Sequence, residues 1–171
     1  MDLKDKKIQT LKSFPPVIDQ SSRILILGSM PGTESLLKNQ YYANNRNHFW
    51  KIIYALFDSE PDPLYENRTA FLLSKKIALW DVIDICCREG SLDSKIRNEQ
   101  VNDLQNFFRN YPGIKYILFN GTKAYDSFRR NTGFNEAEGF IYKKLPSTSP
   151  AHAVKFEEKF KAWSVIRELL K

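Results

Sequence analysis

The sequence has little of what disulfide-bonded, metal-binding or membrane proteins require. Its only two cysteines, Cys86 and Cys87, are adjacent and therefore form neither a disulfide framework nor a metal-binding tetrad. No apolar stretch is long enough to span a bilayer, and residues 1–7 lack the apolar core of a signal peptide. Neither an internal repeat nor a low-complexity segment occurs. We therefore expect reduced thiols and a cytoplasmic protein.

Length and charge narrow the class further. The 171 residues, 42% hydrophobic and 27% charged, suit one domain with a core of ordinary size. Lysine and arginine number 26 against 20 acidic residues, and the formal net charge of +6 favours polyanions without proving that the protein binds them. We expect the polar residues 1–12 to form a short helix or a frayed end, and residues 13–171 to form the single domain.

Apolar and amphipathic stretches alternate along the chain. The patterns predict strands at residues 24–28, 76–83, 114–119 and 139–145. They predict helices from Thr33 and over residues 49–57, 67–75, 98–109, 122–130 and 154–170, with a loop at residues 84–94. Strands that alternate with helices usually pair in parallel. We therefore predict a three-layer α/β/α domain around a central four-stranded, mainly parallel sheet.

The first strand leads into a turn that suits an anion. Residues 24–27 are an unbroken apolar run, and Gly28 ends it before a Pro-Gly turn. Thr33 or Ser35 is expected to cap the helix that follows. This order places backbone N–H groups at the carboxyl edge of the sheet, where open α/β folds bind ligands. The alternative is a well-formed turn and cap without a ligand.

Residues 41–50, with the sequence YYANNRNHFW, combine aromatic rings, amides and an arginine. Aromatic faces stack on bases, amides bond base edges and arginine reaches phosphates, so these residue types suit an extruded nucleobase. The alternative is that the rings are core residues that anchor a loop. We expect Phe49 and Trp50 to be such core residues, because they begin a helix with an apolar face. Tyr42 and Asn47 are less readily explained by it.

Two polar residues stand where predicted strands end. Asp81 comes near the end of the second strand and Asn120 directly after the third. If the strands are parallel, both side chains face the crevice at one edge of the sheet. A carboxylate there is able to accept a hydrogen bond from a ring N–H of a base. The alternatives are a helix cap or loop anchor for Asp81, and an ordinary turn asparagine before Gly121 for Asn120.

Three segments together resemble a known family. GSMPG at residues 28–32, YYANNRNHFW at residues 41–50 and LPSTSPAH at residues 145–152 resemble the motifs of the uracil-DNA glycosylase superfamily. Within it, the segments look most like those of the hypoxanthine-DNA glycosylases, also called DNA-deoxyinosine glycosylases. The resemblance extends from about Phe14 to Trp163, and three motifs in register are more specific than any one alone.

The resemblance implies an activity as well as a fold. The expected enzyme is a monofunctional, monomeric glycosylase that hydrolyses the bond from the sugar to a deaminated base in DNA and leaves an abasic site. Hypoxanthine is the leading candidate for that base, with uracil and xanthine as secondary candidates. It needs neither a cofactor nor a metal. Relatives with an iron–sulfur cluster use four spaced cysteines, which this chain lacks.

The resemblance also implies roles for particular residues. Met30 stands where the superfamily usually has its catalytic Asp or Asn, and the hypoxanthine-specific group instead uses the asparagine that matches Asn47, which positions the attacking water. Tyr42 matches an aromatic residue that stacks on the flipped base. Asp81 is expected to accept the N1–H of hypoxanthine, with a donor such as Asn120 for its O6. Base contacts are thus expected from Gly28, Ser29, Met30, Tyr42, Asp81 and Asn120.

The third motif corresponds to the loop that pinches DNA phosphates. In uracil enzymes of the most familiar type this motif begins with a histidine that stabilises the leaving base, but here Leu145 stands there. His152, farther along, is either a contact to DNA or a surface histidine without a catalytic part. Contacts to DNA are expected from Arg46, Ser147, Thr148, Ser149 and His152.

Other functions are compatible with the sequence. One alternative is a uracil or mismatch-specific glycosylase of the same fold, although Met30 and Leu145 argue against efficient uracil removal. Another is a noncatalytic nucleic-acid-binding protein, which would bind DNA in a salt-sensitive manner without releasing a base. The third is a small α/β protein that binds a mononucleotide or phosphate at the first turn.

Overall fold

Seven strands form two sheets in this computed structural model, which describes residues 9–135 and 138–171. The strands are β1 (Thr10–Lys12), β2 (Ile24–Gly28), β3 (Ile77–Asp81), β4 (Ile83–Cys87), β5 (Arg97–Val101), β6 (Tyr116–Asn120) and β7 (Ile141–Leu145). Four of them pair in parallel in the order β3-β2-β6-β7. This is the predicted central sheet.

Helices cover both faces of the parallel sheet. They are α1 (Thr33–Lys38), α2 (Phe49–Ala55), α3 (Tyr65–Ser74), α4 (Leu104–Asn110), α5 (Thr122–Asn131), α6 (Phe156–Trp163) and α7 (Val165–Leu169). Successive side chains of a strand point to opposite faces. Ile24 and Ile26 accordingly pack in a core cluster with residues of α2, α3 and α6, and Leu25 and Leu27 in a second cluster with residues of α4 and α5. The three-layer α/β/α architecture is confirmed.

A second sheet was not predicted. β1, β4 and β5 form an antiparallel sheet of three strands, in the order β1-β4-β5. The prediction of a loop over residues 84–94 was wrong at β4, and the predicted helix over residues 98–109 forms only from Leu104 onward. Most of β5 is polar and half-exposed or exposed, so its sequence carries no strand pattern, and pairing with β4 determines its conformation.

The N-terminal residues differ from the prediction in part. Residues 10–12 form β1, an edge strand held by β4, instead of a helix or a frayed end. Residues 1–8 lie outside the described residues, and the boundary between residues 1–12 and 13–171 stays a prediction.

Several element ends also shift. The predicted strand over residues 76–83 ends at Asp81, and the chain then turns into β4 in the other sheet. The last helix is divided at Ser164 into α6 and α7, and the predicted helix at 67–75 begins at Tyr65. Within the described ranges no helix is both long and apolar enough to cross a membrane.

The register of the parallel sheet determines where a site forms. Gly28 at the end of β2 pairs with Asp81 at the end of β3, and Asn120 at the end of β6 pairs with Leu145 at the end of β7. Because all four strands run in one direction, the residues that follow them meet at one edge. The three motifs are brought together there.

Candidate active site

A cleft of about 900 Å³ opens at the carboxyl edge of the parallel sheet. Its walls come from the turn after β2, the loop before α2, the loop between β4 and β5, and the loop after β7. The lining contains all twelve residues that the sequence marked for base, water or DNA contacts: Gly28, Ser29, Met30, Tyr42, Arg46, Asn47, Asp81, Asn120, Ser147, Thr148, Ser149 and His152.

Gly28 lets two polar groups approach the end of β2. A Cβ atom at this position would lie 2.5 Å from Oδ1 of Asp81 and 2.9 Å from the hydroxyl oxygen of Tyr42. Both distances are shorter than any ordinary contact of a Cβ atom, so a side chain here would displace the carboxylate or the ring. Glycine is therefore required by close approach at this point of the cleft.

Asp81 is a buried carboxyl group, 3% exposed, at the end of β3. Its Oδ2 accepts a hydrogen bond from the Ser13 hydroxyl at 2.9 Å. Burial raises the pKa of Asp81 from 3.8 to about 7; the bond from Ser13 opposes this rise, and the nearby Asp93 carboxylate adds to it. The group therefore changes charge close to neutral pH.

The side-chain amide of Asn120 is fully engaged with other parts of the protein. Its Nδ2 donates to the Tyr42 hydroxyl at 3.0 Å and to Oγ1 of Thr148 at 2.9 Å. Its Oδ1 accepts from the Thr148 backbone N–H at 2.9 Å. A base would have to displace one of these hydroxyl groups to receive a hydrogen bond from Asn120, and the predicted contact to O6 stays a prediction.

Tyr42 presents its ring to the cleft from a supported position. The ring stacks on that of Phe49, with centroids 4.0 Å apart and an interplanar angle of 22°. The residue has φ of +54°, an uncommon backbone conformation for a residue with a side chain. Phe49 and Trp50 are 0% and 5% exposed, which confirms their predicted place in the core.

Asn47 is held in a single orientation by the backbone around it. Its Oδ1 accepts a hydrogen bond from the Phe49 N–H at 2.9 Å, at the start of α2, and its own N–H donates to the Asn44 carbonyl at 2.9 Å. An amide oxygen has two lone pairs, so one acceptor position is left for a water. The side chain therefore braces the loop, and its predicted catalytic role stays a prediction.

The C-terminal loop, residues 145–152, is braced from below by α6. Lys159 donates from Nζ to the Ser149 carbonyl at 3.1 Å, and Trp163 donates from Nε1 to the Pro146 carbonyl at 2.9 Å. Lys159 is 1% exposed, and burial lowers its pKa. Sequence reasoning missed this lysine because it appears in the sequence as one more charged residue of an amphipathic helix.

Thr148 requires a correction. It was expected to contact DNA, but its side chain is fully buried and its hydroxyl accepts from Asn120. Its backbone carbonyl accepts from the His48 N–H at 3.0 Å, which ties the C-terminal loop to the loop before α2. Thr148 therefore faces the interior, where Asn120 supplies the hydrogen-bond partners that a buried polar side chain needs. Ser147, Ser149 and His152 retain accessible surface.

Asp93 enters the cleft from the loop that follows β4. Its Oδ1 accepts a hydrogen bond from the Ser29 hydroxyl at 2.7 Å. Although the residue keeps exposed surface, the cleft walls surround its carboxyl group and raise its pKa. Asp93 and Ser13 were not predicted, since they lie 64 and 68 residues from their partners.

A metal centre is not formed by the described residues. Within residues 9–135 and 138–171, no three His, Cys, Asp or Glu side chains are grouped so that they could hold an ion. Cys86 and Cys87 are free thiols, Cys86 in the core. The side chains that line the cleft include carboxyl, amide, hydroxyl and aromatic groups together with Arg46, Lys123 and His152.

Comparisons with known proteins point to one family. A family model described as the uracil DNA glycosylase superfamily matches residues 15–171. A hypoxanthine DNA glycosylase of Methanosarcina acetivorans is 37% identical over 158 residues, which is 91% of this chain and 96% of the relative. One of Methanosarcina barkeri is 36% identical over 156 residues, 90% of this chain and 95% of the relative.

A solved structure extends the similarity to three dimensions. It is a solution NMR structure of a uracil DNA glycosylase candidate from Methanosarcina acetivorans, with 36% sequence identity. The TM-score is 0.80, and the match covers 95% of this chain and all of that chain. The chain therefore belongs to the uracil DNA glycosylase superfamily.

Proposed function

We propose that the protein is a hypoxanthine DNA glycosylase that hydrolyses the N-glycosidic bond of deoxyinosine in DNA. The observation that carries the proposal is the meeting of the Tyr42 hydroxyl and the Asp81 carboxyl group over Gly28, in a cleft that Asn47 also lines. Two relatives at 36% and 37% identity are hypoxanthine DNA glycosylases, which supports the same substrate.

The reaction needs an extruded base, a positioned water and a stabilised leaving group. The bond between C1′ and N9 breaks as the sugar gains positive charge and the base gains negative charge. Asn47 would orient the water through Oδ1, because the bond from the Phe49 N–H holds that oxygen in place. An amide is too weak a base to ionise water, so its contribution is orientation and stabilisation of positive charge at C1′.

Selectivity would come from the base edge, since stacking on Tyr42 discriminates little among bases. Hypoxanthine carries an N1–H donor beside the O6 acceptor, whereas adenine has an acceptor at N1 and a donor at N6. The ionised Asp81 carboxylate accepts the N1–H of hypoxanthine. Adenine would leave that buried carboxylate facing another acceptor, which costs binding energy.

The accessible residues at the mouth of the cleft would hold DNA without reading its sequence. Arg46 is exposed and able to pair with a phosphate, and Ser147 and Ser149 offer hydroxyl groups. Lys123 also lines the cleft, but its ammonium group is paired with the Glu99 carboxylate and is therefore not free to attack C1′. We infer a monofunctional, monomeric, cytoplasmic enzyme that forms no covalent adduct with DNA.

The test uses labelled duplexes that contain one hypoxanthine, uracil or xanthine, followed by alkali to cut abasic sites. We expect hypoxanthine-dependent cleavage that falls about a hundredfold or more in Asn47→Ala. Asn44→Ala is the matched control, because Asn44 lines the same cleft and its Oδ1 also accepts a backbone N–H, that of Arg46 at 2.9 Å. It should lose much less activity.

Three results would contradict the proposal. Absence of hypoxanthine release would leave a nucleic-acid-binding protein of the same fold. Faster release of uracil would make the protein a uracil enzyme. A DNA adduct trapped by borohydride would show that a lysine attacks the sugar.

A further inference from the structure

An extruded base leaves a gap in the stack, and an apolar side chain inserted between base steps is one way in which a protein holds DNA unstacked. At the tip of the C-terminal loop the exposed apolar residues are Pro150 and Ala151, both small for a gap of that size, and the exposed residue next to them is the polar His152. The opposite wall of the cleft offers a larger apolar group. Leu92, in the loop between β4 and β5, lines the cleft and is 50% exposed.

The position of Leu92 distinguishes it from other exposed apolar residues. The described part of the chain has four large apolar side chains that are exposed, Leu37, Leu64, Leu92 and Ile141. Only Leu92 among them lines the cleft. Single exposed leucines are common on protein surfaces, so exposure alone carries no argument. An exposed leucine at the mouth of a cleft that receives a flipped base is different, because it lies where the DNA would be.

The loop around Leu92 is clamped on both sides. The hydroxyl of Ser91 accepts from the Thr33 N–H at 2.8 Å and donates to Oγ1 of Thr33 at 2.9 Å. On the other side Asp93 accepts from the Ser29 hydroxyl at 2.7 Å, and the Leu92 carbonyl accepts from the Lys95 N–H at 3.0 Å. A leucine held this way loses little conformational entropy when it enters DNA.

We propose that Leu92 is the wedge residue, which inserts between bases of the duplex beside the extruded nucleotide and keeps that nucleotide in the cleft. The inference rests on the proposed function. It assigns to the β4–β5 loop a contact with DNA that the three sequence motifs do not contain. The C-terminal loop would then hold phosphates on one side of the cleft while Leu92 enters the stack from the other.

The test compares Leu92→Ala with the wild type on hypoxanthine in duplex and in single-stranded DNA. We expect the kcat/KM for the duplex to fall about ten- to a hundredfold, because unstacking is no longer compensated by an inserted side chain. Single-stranded substrate has no gap to fill, so its rate should change little. Leu64→Ala is the control: Leu64 is 59% exposed and lies outside the cleft lining, and both rates should be retained.

A pyrene nucleotide placed opposite hypoxanthine fills the gap chemically and should restore most of the duplex rate to Leu92→Ala. Equal losses on the two substrates, no loss at all, or no rescue by pyrene would overturn the assignment of Leu92.

A measurement of DNA unstacking on binding tests the role of Leu92 independently of base release. The fluorescence of 2-aminopurine next to hypoxanthine should rise when the wild type unstacks the duplex and stay low with Leu92→Ala. If the wild type releases no base but raises the fluorescence through Leu92, the proposed function fails and the wedge stands. If both proteins release the base and give equal fluorescence, the assignment of Leu92 fails and the proposed function stands.

Discussion

Asp81, Asn120 and Thr148 at the bottom of the cleft are no more than 7% exposed, whereas Arg46, Leu92 and His152 at its mouth are open to solvent. We call the first set, with Gly28, the floor and the second set the rim. The polar side chains of the floor form hydrogen bonds with one another, with Ser13 or with Tyr42, which hold them in place. Rim groups keep free surface for a ligand. Under the proposed function, the floor would select the base and the rim would hold DNA.

Adding a side chain to the floor should have the largest effect on base release and leave DNA binding at the rim intact. Gly28→Ala would place a Cβ atom 2.5 Å from Oδ1 of Asp81, and overpacking of this kind costs about 1–3 kcal/mol. We expect the rate of base release to fall about ten- to a hundredfold while DNA binding keeps its salt dependence. Gly32→Ala is the matched control, since its nearest contact would be Ser91 at 3.4 Å. Equal losses in the two variants would show that the turn, not the floor, is sensitive.

Replacing the ring above the floor should have the next largest effect. Tyr42→Ala removes a stacking surface worth about 1–3 kcal/mol per base, so we expect kcat/KM to fall between about fivefold and a hundredfold. Tyr42→Phe keeps the ring and loses only the hydroxyl that accepts from Asn120 at 3.0 Å, so its loss should be smaller. Steady-state kinetics on a hypoxanthine duplex measure both. A larger loss in the phenylalanine variant would mean that the hydroxyl, not the ring, carries the role.

The charge of the floor should make activity depend on pH. Burial raises the pKa of Asp81 to about 7, so the carboxylate that we propose to accept the N1–H of hypoxanthine forms only as pH rises through neutrality. The rate of hypoxanthine release should therefore increase from pH 6 to pH 8. Asp81→Asn, which cannot ionise, should release base slowly with a flat profile over that range. A sloping profile in Asp81→Asn would assign the titration to another group.

The same carboxyl group makes stability depend on pH in the opposite direction. Its pKa is higher in the folded protein than the ordinary 3.8, so its contribution is complete below pH 4 and is lost as pH rises through 7. The free energy of unfolding should fall by at most about 1.4 kcal/mol per pH unit in that window. Urea unfolding of the wild type and Asp81→Asn at pH 4.5, 6 and 8 measures the difference. Asp93 has a raised pKa too and adds a slope of the same sign to both proteins.

Replacing Arg46 at the rim should have the smallest effect, and on binding rather than on the chemical step. Arg46→Ala should weaken DNA binding and lower the slope of log affinity against log salt by about 1, because one phosphate contact is lost. The rate at saturating DNA should stay near that of the wild type. Arg109, in the last turn of α4 and outside the cleft lining, provides the control in Arg109→Ala. An unchanged salt slope in Arg46→Ala would remove Arg46 from the DNA contacts.

The parallel sheet was predictable because its strands carry their own signal. Ile24, Leu25, Ile26 and Leu27 are all 0% exposed, as expected of an apolar run covered on both faces. The antiparallel sheet was not predictable, since β5 reads RNEQV and only its pairing with β4 makes it a strand. The loop between these two strands carries Leu92 and Asp93. Because the second sheet was not predicted, these two residues were not predicted to lie at the site.

The motifs predicted which residues line the cleft but not what each one contacts. The apolar strands, the turn at Gly28 and the residue types of the three motifs were predictable from the sequence, because they depend on neighbours a few positions away. The inward turn of Thr148 to Asn120, the hydrogen bond from Ser13 to Asp81 and the place of Leu92 at the rim became evident only from the fold. Those contacts join distant segments, and strand register and packing, which no local pattern encodes, bring them together.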